Sequence, residues 1–152
     1  MKDALTLLSV VLIATLPHAR ALDGAAIVNT GSTNTLGWQI EIRSDGVGHV
    51  AQRPFSVSAL QAQRFLRDAR AARDAGAAGR GCMKSVSFGT RLTVAYHGWI
   101  SPDLSCPAPS PLLQQLARDA QQIIAVAKPP TGLRRIHLPI EPRRAPTSPP
   151  HG

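Results

Sequence analysis

Between Cys82 and Cys106, the two cysteines of the chain, stand Lys84, Ser85, Ser87, His97 and Asp103. Serine, histidine and aspartate are the parts of a nucleophilic hydrolase, which needs a base within hydrogen-bond reach of the hydroxyl, an acid behind the base and an oxyanion hole. No G-x-S-x-G turn presents either serine, and Ser85 and Ser87 read as polar-face residues of a strand. Asp103 sits in Ser101-Pro-Asp-Leu, where turn chemistry explains it without catalysis. No catalytic residue is assigned on this reading. His49, His97 and His137 are dispersed, the cysteines lack a C-x-x-C partner, and no H-E-x-x-H or EF-hand loop occurs, so neither a metal site nor a cofactor is expected. Two cysteines flanking a sheet segment in an exported chain call instead for a disulfide, Cys82 to Cys106.

Export is read from the N-terminus. Lys2 precedes an apolar run, Ala4 to Leu16, followed by Pro17 and the small-residue pattern Ala19-Arg20-Ala21, which is the form of a secretory signal peptide. The run is shorter than the roughly 20 apolar residues of a membrane span, and no later segment reaches that length, so no transmembrane span is expected in the mature chain. Cleavage after Ala21 leaves 152 − 21 = 131 residues. This predicts one domain over 22–138, with the five prolines of 139–152 marking a disordered tail, in a periplasmic or extracellular protein. Of the 17 basic residues 14 are arginine, and Arg64, Arg67, Arg70, Arg73 and Arg80 fall close together. Such a surface attracts polyanions and also maintains solubility. The six aromatic residues show no interleaving with basic ones, which disfavours nucleic acid.

The elements that must hold these residues follow from periodicity. Trp38, Ile40 and Ile42 alternate with Gln39, Glu41 and Arg43, and a Ser44-Asp-Gly46 loop turns this strand into a hairpin that sets Ile40 opposite Val50 and Glu41 opposite His49. Residues 26–30 read as a short preceding strand. From Ser56 or Ser58, either able to cap, a helix runs to Gly76 with Leu60, Ala62, Leu66 and Ala69 inward and Arg64–Asp68 and Arg70–Asp74 paired four apart. Ser110 and Pro111 open a second helix with Leu112, Leu113, Leu116, Ala117, Ala120, Ile123, Ile124 and Ala127 on its apolar side. Between the cysteines, Val86, Phe88, Leu92, Val94, Tyr96 and Ile100 share one parity and Arg91, Thr93, His97 and Trp99 the other, with Gly89 a bulge or a turn and His97-Gly98 a candidate hairpin turn. A last edge strand over 135–140 completes the pattern. The expected fold is α+β, an antiparallel sheet with two helices packed on one face and one disulfide.

The stretches Met83-KSVSFGT and Tyr96-HGWISPDLSC resemble small exported bacterial proteins of unknown function that carry KSxSFGT and SPDLSC. The resemblance implies export and a compact domain, and brings no activity, cofactor or site residue. The expected function is a non-enzymatic exported module that binds a protein partner, in inhibitor-like fashion, through an open sheet face presenting Arg91, Thr93, His97 and Trp99. The alternatives are an electrostatic binder of polyanions or anionic envelope surfaces, using Arg64, Arg67, Arg70 and Arg73 with the arginines near the tail, and a hydrolase.

Overall fold

A computed structural model describes residues 22–132. The expected signal peptide, the strand expected at 135–140 and the expected proline-rich tail lie outside them. Strands β1 (Gly24–Asn29), β2 (Trp38–Arg43), β3 (Val47–Val50) and β4 (Arg53–Ser56) form a meander, helix α1 (Ala59–Asp74) follows, and β5 (Leu92–Tyr96) and β6 (Trp99–Ile100) precede helix α2 (Pro111–Ala127). The six strands make one antiparallel sheet in the order β4-β3-β2-β1-β5-β6. Both helices cover the same face, α1 above β5 and α2 above β3 and β4. The α+β fold and the disulfide match the expectation from sequence.

The β2–β3 hairpin has the expected register, Ile40 opposite Val50 and Glu41 opposite His49. Gly46 adopts φ +87°, and a Cβ there would lie 2.3 Å from the Val57 carbonyl oxygen, so both backbone conformation and space demand glycine. Strand β4 was not expected. Its turn consists of Ala51 and Gln52, at φ +47° and +64°, and neither residue type signals a left-handed pair.

Ser58 caps α1 by accepting from the Gln61 N–H at 3.1 Å, and Gly76, at φ +58°, ends it where the sequence placed the stop. The buried stripe is Ala62, Phe65, Leu66, Ala69 and Ala72. Leu60, expected inward, is 77% exposed. It lies two residues before Ala62, about 200° around the helix, and so points away from the core. Ser110 and Pro111 open α2 as expected, and Leu113, Leu116, Ala120, Ile123 and Ala127 are buried. Leu112, Ala117 and Ile124 pack at its margin.

The same apolar face of α2 carries Asp119, 1% exposed. Arg64 Nε on α1 lies 3.2 Å from Asp119 Oδ1, and Gln115 donates to the same oxygen at 3.2 Å. Asp119 Oδ2 has no hydrogen-bond partner among the described residues. Asp68 on α1 faces Asp119, and its carboxyl is pushed above its usual range by burial, then by the hydrogen bond to Asp119 and by the Asp119 charge. The two carboxyls meet between the helices, so the stability of this contact depends on pH.

The Ala51-Gln52 turn and the Asp68–Asp119 contact can each be tested through stability. Replacing Ala51-Gln52 by Asn-Gly relieves two left-handed non-glycine residues and is expected to raise stability by about 1 kcal/mol in urea unfolding. An unchanged midpoint would mean that the turn carries no strain. Because the folded-state pKa of Asp68 is raised, its stabilising proton is fully bound below the ordinary carboxylate value and is lost as pH rises through the folded value. Asp68→Asn keeps a donor that does not titrate, so its stability should exceed wild type at pH 7 and the gap should close toward pH 4. Asp119→Ala, which strands Arg64 and Asp68, should cost about 3 kcal/mol.

Candidate functional site

The segment 77–91, between α1 and β5, contains neither helix nor strand. This corrects the expectation that Val86 and Phe88 continue β5 inward. Of the two alternatives at Gly89, a bulge or a turn, the structure has a turn: the Gly89 N–H donates to the Ser85 carbonyl and closes a compact turn over 85–89, which joins no strands. Val86 is 85% and Phe88 60% exposed, and Met83 is fully exposed. Three large apolar side chains therefore stand in solvent on one loop.

That loop is pinned from several sides. The Cys82–Cys106 disulfide joins its start to the segment after β6 across a Cα separation of 5.6 Å. Ser87 O accepts from Asn34 N–H at 3.1 Å and from the Ser32 hydroxyl at 2.7 Å, and Val86 O accepts from Thr33 Oγ1 at 3.3 Å, so the β1–β2 loop braces its tip. Lys84 reaches back to Asp103 Oδ2 at 2.7 Å and Thr90 O at 2.6 Å, and also contacts Ser105 Oγ. Asp103 Oδ1 accepts from Leu92 N–H at 3.1 Å and Ser105 N–H at 3.0 Å. Burial opposes the Asp103 anion, but Lys84, the Ser105 hydroxyl and these two backbone N–H groups outweigh it and bring its pKa from 3.8 down to about 2. Asp103 is thus the hub of a polar plug beneath the loop.

The residues of the hydrolase alternative do not converge. Asp103 is committed to Lys84 and Ser105, and Ser85 Oγ accepts from the Phe88 N–H at 3.4 Å. His97, at φ +46° in the two-residue His97-Gly98 turn, places Nε2 2.8 Å from Asp23 Oδ1. Arg70 and the Tyr96 hydroxyl both donate to Asp23 Oδ2 at 2.9 Å, and Arg73 stacks over the Tyr96 ring at 5.2 Å. Although burial opposes it, the bonds from His97 and Tyr96 lower the Asp23 pKa, with the charges of His97 and Arg70 adding to the effect. The cluster ties the start of β1 to the β5–β6 turn and to α1.

Of the expected binding face, Arg91 and Thr93 stand on the uncovered side of the sheet and His97 at its margin. Trp99 does not. It lies opposite Tyr96, whose ring is buried, and packs against the core, whereas Ile100 lies opposite Ala95 on the open face and is 67% exposed. A two-residue turn sets its flanking residues side by side, so it inverts the parity that an uninterrupted strand would keep. Ile100 was missed for that reason, and the His97-Gly98 dipeptide is the signal that reveals it.

The expected anion-binding arginines of α1 each have an acidic neighbour. Arg64 meets Asp119, Arg67 meets Asp68 at 3.6 Å, Arg70 meets Asp23 and Arg73 meets Asp74 at 2.8 Å. Arg64–Asp68 and Arg70–Asp74 are not the pairs formed. Among the described residues, Arg80 and Arg91 side chains make no hydrogen bond or ion pair, and both line one cleft of about 580 Å³ behind the loop, together with Gly79, Cys82, Thr93 and Ile100. No group of three metal-ligating side chains occurs among the described residues, and no described helix is long and apolar enough to cross a membrane. No protein family, curated protein or solved structure matches the chain.

The Asp103 plug predicts acid sensitivity with a definite sign. A carboxylate whose folded pKa is lowered stabilises above its unfolded value of 3.8 and loses that contribution as pH falls toward about 2. The loss across that window should be about 2 kcal/mol in chemical denaturation. Lys84→Met should lower stability at pH 7 and flatten the acid slope; a slope as steep as wild type would separate Asp103 from the acid response.

Proposed function

We propose that the protein is an exported, non-enzymatic binding module that docks a partner protein through the stapled loop over residues 82–91 and the adjoining open sheet face. The observation that carries this reading is the solvent exposure of Met83, Val86 and Phe88 on a loop held by a disulfide, by the Lys84–Asp103 plug and by the β1–β2 loop. An isolated apolar side chain at a surface needs no explanation, but three on one anchored loop form a contact surface. Pre-ordering the loop removes much of the entropy that binding would otherwise cost, which is the physical basis of inhibitor-like loops. Export is supported by the leader-like N-terminus and by the disulfide, which persists in oxidising compartments.

Charge on α1 does not favour the polyanion alternative as a first choice, since Arg64, Arg67, Arg70 and Arg73 are each set against a carboxylate. The loop instead supplies apolar area between Lys84, which is paired with Asp103, and Gly89.

The test uses residues 22–152 as immobilised bait against native envelope and culture fractions, with Val86→Ser/Phe88→Ser as the paired variant. A defined protein held by wild type at 0.5 M salt and lost from the variant is the expected result. Both side chains are exposed, so the variant should keep the wild-type melting temperature. Retention by both baits alike would overturn the loop as the docking site. Recovery of only lipid or polyanion, released by salt, would replace the protein-partner reading with an envelope-surface one.

A further inference from the structure

The cleft behind the loop has features that the apolar contact does not use. Two cations face it without a described partner: Arg80, on the segment after α1, and Arg91, just before β5. The other charges in its lining cancel, because Lys84 and Asp103 are bonded to each other at 2.7 Å and both Asp103 oxygens are engaged. Ser101 is likewise occupied, its hydroxyl accepting from Val94 N–H and donating to Pro102 O at 2.8 Å. The Thr93 hydroxyl makes no hydrogen bond among the described residues and stands on the same wall as Arg91. Beside them Ile100 and Pro102 give an apolar margin.

Resting on the docking reading above, we propose that this cleft is a carboxylate pocket, which takes an acidic side chain of the partner's extended segment while the neighbouring aliphatic side chain of that segment rests on Ile100. Arginine guanidinium groups match the planar, two-oxygen geometry of a carboxylate, and an unbonded hydroxyl adds a third donor. The excess of two positive charges in the lining suits an anion. Burial of Arg80 or Arg91 against an uncharged partner would strand a cation, so the pocket selects against neutral segments as well as for acidic ones.

The position of the pocket couples it to the disulfide. Cys82 is in its lining and Arg80 lies two residues before it, so the cross-link fixes one wall while β5 supplies the other. Gly79 permits the close approach of that wall to the segment after β6: a Cβ there would lie 2.5 Å from Pro102 Cβ.

The experiment is chemical-shift mapping of the folded, oxidised protein, titrated at low salt with acetyl-Gly-Ser-Leu-Asp-Gly amide, its Leu-Asn counterpart, sodium acetate and inorganic phosphate. Saturable shifts at Arg91, Thr93 and Ile100 are expected with the Leu-Asp peptide. Its affinity should fall at least tenfold for the Leu-Asn peptide and for wild-type peptide on Arg80→Gln/Arg91→Gln, whose substitutions lie at the surface and should leave the spectrum otherwise native. Equal binding of both peptides, absence of saturable shifts, or stronger binding of phosphate than of the Leu-Asp peptide would each overturn the carboxylate pocket. If the pocket fails while partner capture still depends on Val86 and Phe88, the docking reading stands alone; if capture fails and the pocket saturates, the pocket stands without that partner.

Discussion

The loop over residues 82–91 is held without a hydrophobic anchor, and much of the molecule's behaviour depends on how that is done. Its large apolar side chains point into water, so the usual driving force for fixing a chain segment is absent. Covalent and charged contacts take its place: the Cys82–Cys106 bond at one end, the Lys84–Asp103 pair in the middle and backbone hydrogen bonds to the β1–β2 loop at the tip. In the chain-entropy picture, a cross-link across the sequence separation of 24 between Cys82 and Cys106 stabilises the fold by about 3 to 4 kcal/mol, a large part of the roughly 5 to 15 kcal/mol that holds a small domain together. The same bonds also deliver β5 to its partner. Asn29 and Leu92 pair across the sheet although β2, β3, β4 and α1 intervene, and Asp103 receives the N–H of Leu92, the first residue of β5. A loop that had buried its apolar residues would fix β5 equally well, but would have nothing left to offer a partner.

How far the sequence could be read depends on whether the relevant physics is local. The β2–β3 hairpin was legible because Asp45-Gly46 encodes its loop and the alternation of Trp38, Ile40 and Ile42 encodes its face. The caps Ser58 and Ser110 and the stop at Gly76 were legible for the same reason, since each acts on backbone groups a few residues away. Strand β4 was not, because Ala51-Gln52 carries no turn signal and its positive φ values are imposed by the pairing of Arg53 to Ser56 with Val50 to Val47. Val86 and Phe88 continue the alternation of Leu92 and Val94 in the sequence, and only the loop's polar anchoring takes them out of the sheet.

Charge partners were the least legible feature. Spacing along α1 suggested helix-local pairs, worth only a few tenths of a kcal/mol each. Tertiary contacts offered better ones: Asp119 reaches Arg64 from α2, and Asp23 reaches Arg70 from the start of β1. A helical wheel drawn for α2 sets Asp119 beside Leu116, Ala120 and Ile123, and a carboxylate on an apolar stripe is a sign that a cation must come from elsewhere. The arginine run of α1 was the place to look for it.

Those pairings redistribute the protein's basic character. The sequence places the densest run of arginine on α1, but folding sets carboxylates against it there, and among the described residues Arg80 and Arg91 are left without one in a single cleft. The densest charge and the unpaired charge therefore sit in different places. The apolar loop and the unpaired guanidinium groups, each unfavourable for an isolated domain, adjoin one another at the disulfide. Places where local rules of burial and pairing are broken, while the rest of the fold obeys them, are where a binding function is expected. Two independent departures at a single covalently fixed location make a common occupant the simplest account of both: a surface with an aliphatic and an acidic side chain would bury Phe88 and Ile100 and at the same time give Arg80 and Arg91 the carboxylate that the domain itself withholds.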